Sequence, residues 1–185
     1  MATTAAGTPY VESSDLVANY PGASLALANH IDTIGKVLQV VSTTLTSAFT
    51  TSSGSYTAIT GLSRSITLAS TSNTVLVFYS VFLGQNTNSF PDIRLIRDST
   101  AIGIGDASGS LERVTGNSFS GGGENHSMTM AGSFMDSPAS VASITYALHI
   151  KSDGIQTQFV NRNRRDSSSS DPRGISTITL MEVSN

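Results

Sequence analysis

From Gly35 onward the chain breaks into about ten short runs rich in β-branched and aliphatic residues, none with the spacing of a helix. The runs are KVLQVVSTTL, YTAITGL, SRSITLA, NTVLVFYSVFLG, DIRLIRD, TAIGIG, HSMTMAGSFMD, SITYALHIK, IQTQFVN and GISTITLMEVS. Turn residues separate them at fairly even intervals, in TSSGS, STSN, GQNTNSFPD, SGGGEN, DSPAS, KSDG and RRDSSSSDPRG. Regular short strands predict an all-β sandwich or barrel. The missing βαβ alternation disfavours a doubly wound sheet or a TIM barrel, and 185 residues suit one core.

Two runs reveal their facing. In ISTITLMEV a period of two puts Ser176, Ile178, Leu180 and Glu182 on one face and Ile175, Thr177, Thr179, Met181 and Val183 on the other. TVLVFYSVFL, residues 74 to 83, is apolar on both faces, which predicts a central strand with the core on one side and a second sheet or, in preference, a neighbouring subunit on the other.

Residues 1 to 35 differ in texture. Up to about residue 22 they are small, polar and punctuated by proline, with scattered apolar marks at Pro9, Tyr10, Val11, Leu16, Val17, Tyr20 and Pro21. Scattered anchors cannot bury a core of their own, so an extended arm that orders against something else is expected. In SLALANHIDTI, Leu27, Ile31 and Ile34 fall on one helical face, with Ser24 as N-cap and Gly35 as stop. So short a helix needs a docking partner, in its own domain or in sister chains. The expected organisation is an arm and short helix over 1–35 and a β-domain over 36–185.

Composition narrows the chemistry. Only 12% of residues are charged and the formal net charge is -3, a poor match for gripping phosphates, so nucleic-acid binding is disfavoured. Zero cysteines rule out a disulfide framework, a thiolate zinc site and a cysteine nucleophile. The start MATTAAGTPY has neither the cationic nor the apolar part of a secretory signal, and no later run reaches membrane-spanning length. A soluble, cytoplasmically made protein with no membrane partner is therefore expected.

Catalytic and ligand motifs are missing in turn. GIGDASG, with Gly103, Gly105 and Gly109, lacks the spacing and the following helix of a dinucleotide loop, and SGGGEN, Ser120 to Asn125, lacks a P-loop ending. His30, His126 and His149 lie far apart and form no HxH or HExxH pair, so no metal site is expected. No GxSxG elbow occurs, and the 13 acidic residues fall mostly in turns. No catalytic residue and no cofactor are assigned. The one cationic concentration is NRNRRDSSSSDPRG, where Arg162, Arg164, Arg165 and Arg173 surround a serine-rich loop. It reads as a solvated loop tip or as a contact patch for an acidic partner, either a protein subunit or an anionic glycan.

TPYVESSDLVANYPGASLALANHID, GKVLQVV, SRSITLASTSNTVLV, RLIRDSTAIGIGD, FMDSPASVASITYALHIKS and STITLMEVS together resemble the modules of small virion structural proteins from tailed bacteriophages. The resemblance spans almost the whole chain. It implies an N-terminal arm attached to the particle and a β-sandwich of jelly-roll type, assembled as a homotrimer and displayed outside. It carries no catalytic signature. The function it implies is a capsid decoration, or cement, protein bound to the phage capsid protein, with Pro9, Tyr10, Leu16, Val17, Tyr20 and Pro21 as arm contacts. The alternative is a receptor-binding tail fibre or fibre tip, its arm on tail proteins and its loops on a host surface glycan. Either way the location is the virion, on the capsid exterior or the tail.

Overall fold

The computed structural model describes residues 2–3, 9–10, 22, 24–27, 35–84, 91–117, 126–152, 156–167 and 169–184. Near the N-terminus, β1 (Ala2–Thr3) pairs antiparallel with β2 (Pro9–Tyr10). Residue 22 and residues 24–27 are helical, which sets Ser24 inside the helix and not at its cap. Leu16, Val17, Tyr20, Pro21, Ile31 and Ile34 lie outside the described residues.

The remaining strands are β3 (Val37–Leu45), β4 (Phe49–Thr51), β5 (Thr57–Thr67), β6 (Thr74–Gly84), β7 (Asp92–Arg97), β8 (Thr100–Ile102), β9 (Gly116–Asn117), β10 (Ser127–Asp136), β11 (Ser143–Lys151), β12 (Gln158–Val160) and β13 (Ser176–Val183). They form two antiparallel sheets. In the first, β6 is flanked by β10 on one side and by β13 and then β3 on the other, with β12 and β4 prolonging those last two lines. In the second the order is β5-β11-β7-β8, and β9 also pairs with β7. With the short β4, β9 and β12 set aside, the orders β3-β13-β6-β10 and β5-β11-β7-β8 are those of a jelly roll, two Greek keys folded face to face. The expected all-β sandwich is present.

Period-two alternation makes the core. Val75, Val77, Tyr79, Val81 and Leu83 of β6 point inward with Ile178 and Leu180 of β13, and they meet Ile93, Leu95, Tyr146, Leu148 and Ile150 of the second sheet. Each such aliphatic burial contributes about 1.5–3 kcal/mol, which commits every strand to one register. At one open edge β3 approaches β5, where the Thr43 hydroxyl donates to the Ser63 carbonyl at 2.9 Å and Gln39 Nε2 donates to the Thr67 carbonyl at 2.7 Å.

YTAITGL and SRSITLA, separate runs in the sequence, form the single strand β5. Its register against β11 shifts between Ala147 and His149. The shift sits beside Gly61, whose φ of 86° suits glycine and whose missing Cβ leaves room for the Leu45 side chain.

Candidate functional site

Three surface features stand out among the described residues. The first is the arginine-rich segment. It leaves the six-stranded sheet after Val160 and returns at Ser176, and β6 has two positions, Val81 and Phe82, between the partners of Val160 and Thr177. Asn161 and Ser176 fill them. The Asn161 amide donates to the Phe82 carbonyl at 2.9 Å, and the Phe82 amide donates to Ser176 Oγ at 3.1 Å. Thus β12 and β13 are one strand interrupted by a loop.

Asn161, fully buried at a φ of 61°, closes the loop's base. Its Nδ2 donates to the carbonyls of Leu45 and Ser47, at 2.8 and 3.0 Å, and its Oδ1 accepts from Ser176 Oγ at 2.7 Å. Asparagine is among the few residues that tolerate this backbone region, and its amide satisfies carbonyls that the kink between β3 and β4 leaves unpaired.

Inside the loop the arginines turn onto two aspartates. Arg165 meets both Asp171 oxygens through Nε, at 2.9 and 3.0 Å, while Asp171 also accepts from Asn163 Nδ2 and the Ser167 amide. Arg173 and Arg162 converge on Asp166, at 2.6 and 3.2 Å, and the Arg162 guanidinium also lies 5.1 Å from the Phe159 ring centre. Arg164 is exposed. The structure therefore brings Arg162, Arg165 and Arg173 into one internally paired loop. Asp166 and Asp171, written in the same segment, are the signal that sequence reasoning passed over.

The second feature is the outward face of the six-stranded sheet. Asp136 and Glu182 are the acidic residues on β3, β6, β10 and β13, which carry no Lys, Arg or His, and both point inward and are buried. Every outward position on these strands is uncharged. Asp136 accepts both Arg97 Nη1 contacts, at 2.9 and 3.0 Å, and the Tyr146 hydroxyl at 2.6 Å. Burial, reinforced by the Asp136 carboxylate, pushes the Tyr146 hydroxyl far above its ordinary pKa. Glu182 accepts from the Ala69 amide at 2.7 Å and from Gln39 Nε2 and Asn73 Nδ2, each at 2.6 Å. Burial pushes its pKa up, but those three donors outweigh it and hold the carboxyl below its ordinary value.

The third feature is a polar cluster on the outward side of the second sheet. Arg94 lies 3.9 Å from the Tyr56 ring centre, and Glu112 bridges Arg94 at 2.6 Å and Lys151 at 2.7 Å. The loop from Gly103 to Thr115 is drawn over the sheet by these bonds and by Arg94 Nε on the Arg113 carbonyl, at 2.7 Å. Gly103 and Gly109, both at positive φ, serve its turns. The second sheet thus turns Arg94 and Lys151 outward, where the first has no outward charge.

No family model matches the chain, and a comparison with curated proteins finds no match. Among solved structures, one titled "Structure of infectious bursal disease virus Gx strain" aligns with 80% of this chain at 10% identity and a TM-score of 0.34. The chain spans 40% of that structure's length.

A cavity of about 310 Å³ opens at one end of the sandwich between Arg97–Thr100 and Pro138–Ile144. Its lining includes the hydroxyls of Ser99, Thr100, Ser140 and Ser143 and the Asp98 carboxylate, whose Oδ1 accepts from the Thr145 amide at 2.9 Å. Among the described residues no group of three His, Asp or Glu could hold a metal ion. His149 lies half-buried on β11, where burial holds its imidazole below the usual range; His126 is exposed, and His30 and Ser120–Asn125 lie outside the described residues.

Proposed function

We propose that this protein is a non-enzymatic virion structural component, a trimeric decoration protein that braces the head of a tailed bacteriophage. The observation that supports it most is the strand order of the sandwich, which is the order the module resemblance implies. Fold alone assigns no function, so the reading joins that order to the quoted modules. Bracing works by mass action: a ligand of the intact shell shifts the shell's stability, and several weak arm contacts from one trimer add through effective concentration. The arm residues that make these contacts are Pro9, Tyr10, Leu16, Val17, Tyr20 and Pro21.

Adding the protein to undecorated heads raises the temperature at which they release DNA, and truncation before Ser24 abolishes binding while leaving the sandwich folded. A truncated chain that binds heads as tightly as the full chain removes the arm from the mechanism. The tail-fibre alternative draws on the ordered loop bearing Arg162, Arg164, Arg165 and Arg173. Low copy number confined to the tail, with host adsorption lost when the four arginines become serine, decides for that alternative.

A further inference from the structure

The outward face of the six-stranded sheet carries no charge and mixes hydroxyl groups with large apolar side chains. The register aligns Met135 of β10, Leu76 of β6, Met181 of β13 and Val40 of β3 in one row across four strands, with Phe78 beside it. Met135, Val40 and Phe78 remain 50%, 53% and 42% exposed. Phe78 stands at the centre of β6, the strand that hydrogen-bonds on both sides and whose edges are already used. A row of large apolar side chains across a whole sheet is more than the scattered exposure of an ordinary surface.

From this geometry we infer that the face is the self-association surface of the protein, buried against further copies of this chain. The inference rests on the homotrimer proposed above and names the surface that such a trimer turns toward its axis. Charge argues for a copy over a foreign partner: desolvating a charged partner surface against this face leaves those charges unpaired, whereas the same face on another protomer brings only apolar and hydroxyl groups. Area agrees. Four strands spaced about 4.8 Å apart and about eight residues long present roughly 500 Å². Three such faces turned to one axis bury on the order of 1,500 Å² in all across the trimer. The charged outward side of the second sheet, with Arg94, Glu112 and Lys151, is left to solvent or to other contacts.

Sedimentation equilibrium on the full chain tests this with three variants: Phe78→Glu at the centre of the face, Val40→Lys near its border, and Thr60→Glu, exposed on β5 of the other sheet. Circular dichroism establishes that each is folded, and Val40→Lys carries the test if Phe78→Glu is not. The expected result is a trimer for the parent and for Thr60→Glu, with self-association weakened at least about tenfold by either face variant. A trimer that persists in both folded face variants overturns the surface and leaves the trimer standing. A parent dimer dissolved by the face variants keeps the surface and overturns threefold assembly. A parent monomeric at 100 μM overturns both, and if that monomer still raises the DNA-release temperature of heads, the decoration reading survives alone.

Discussion

Ser176 Oγ donates to Asn161 Oδ1 across 2.7 Å, and through that bond the two halves of an interrupted strand are held in one line. Asn161 does this while its Nδ2 holds two carbonyls of the neighbouring line, from Leu45 and Ser47. One buried side chain therefore closes both the loop and the kink opposite it.

Replacing Asn161 by alanine strands those buried groups and keeps a β-carbon in the left-handed backbone region. The expected loss is about 3 kcal/mol in urea unfolding, with Asn161→Gly losing less because the backbone strain is relieved. An alanine variant as stable as the parent removes Asn161 from its role.

Gly84 lies against the backbone of Arg162 at the base of the same loop. A β-carbon there overlaps the Arg162 carbonyl and approaches the Asn163 Cα to 2.7 Å, and backbone yields less readily than a side-chain tip. Gly84→Ala is expected to cost more than about 3 kcal/mol, whereas Gly105→Ala, which meets open space, changes stability little. Thermal melting of the pair separates contact from a general intolerance of glycine loss.

Asp171, nearly buried, holds Arg165, Asn163 and Ser167 at once. Asp171→Ala removes the acceptor shared by Arg165, Asn163 and Ser167 and loosens the loop without opening the sandwich. Trypsin cleavage after Arg164 and Arg165 is then expected to speed up by about tenfold under native conditions, because cleavage follows local opening. Unchanged cleavage contradicts the internal pairing.

Glu182 ties stability to pH. Its folded pKa is held below the ordinary glutamate value, so its contribution is present above that value and is lost as pH falls through the folded pKa. Glu182→Gln, which accepts less well, is expected to lower stability at pH 7 and to flatten the acid side of the stability profile. A variant whose profile parallels the parent below pH 4.5 removes Glu182 as a source of acid sensitivity.

Much of this architecture was legible because it follows from period two. The two-sided apolar character of residues 74 to 83 marks the strand bonded on both sides, and the split of β13 into Ser176, Ile178, Leu180, Glu182 and their alternates is the split the structure has. What the Glu182 side chain does on an inward face was not legible, because its donors Gln39, Ala69 and Asn73 come from distant segments. The continuity of β5 through Gly61 was hidden for a local reason, since a glycine within a run reads as a break as readily as a bulge. The arginine cluster was visible, but its closure onto Asp166 and Asp171 depends on a loop path that no periodicity encodes.

The interrupted strand has one more consequence. Asn161 and Ser176 occupy adjacent places opposite β6, so the register of the sandwich is indifferent to how many residues lie between them. Evolution, or an engineer, can lengthen, shorten or exchange the tip of that segment, beyond the Arg162–Arg173 bridge at its base, while the sheet keeps its alignment, which makes it a natural socket for displaying a foreign peptide on a β-scaffold.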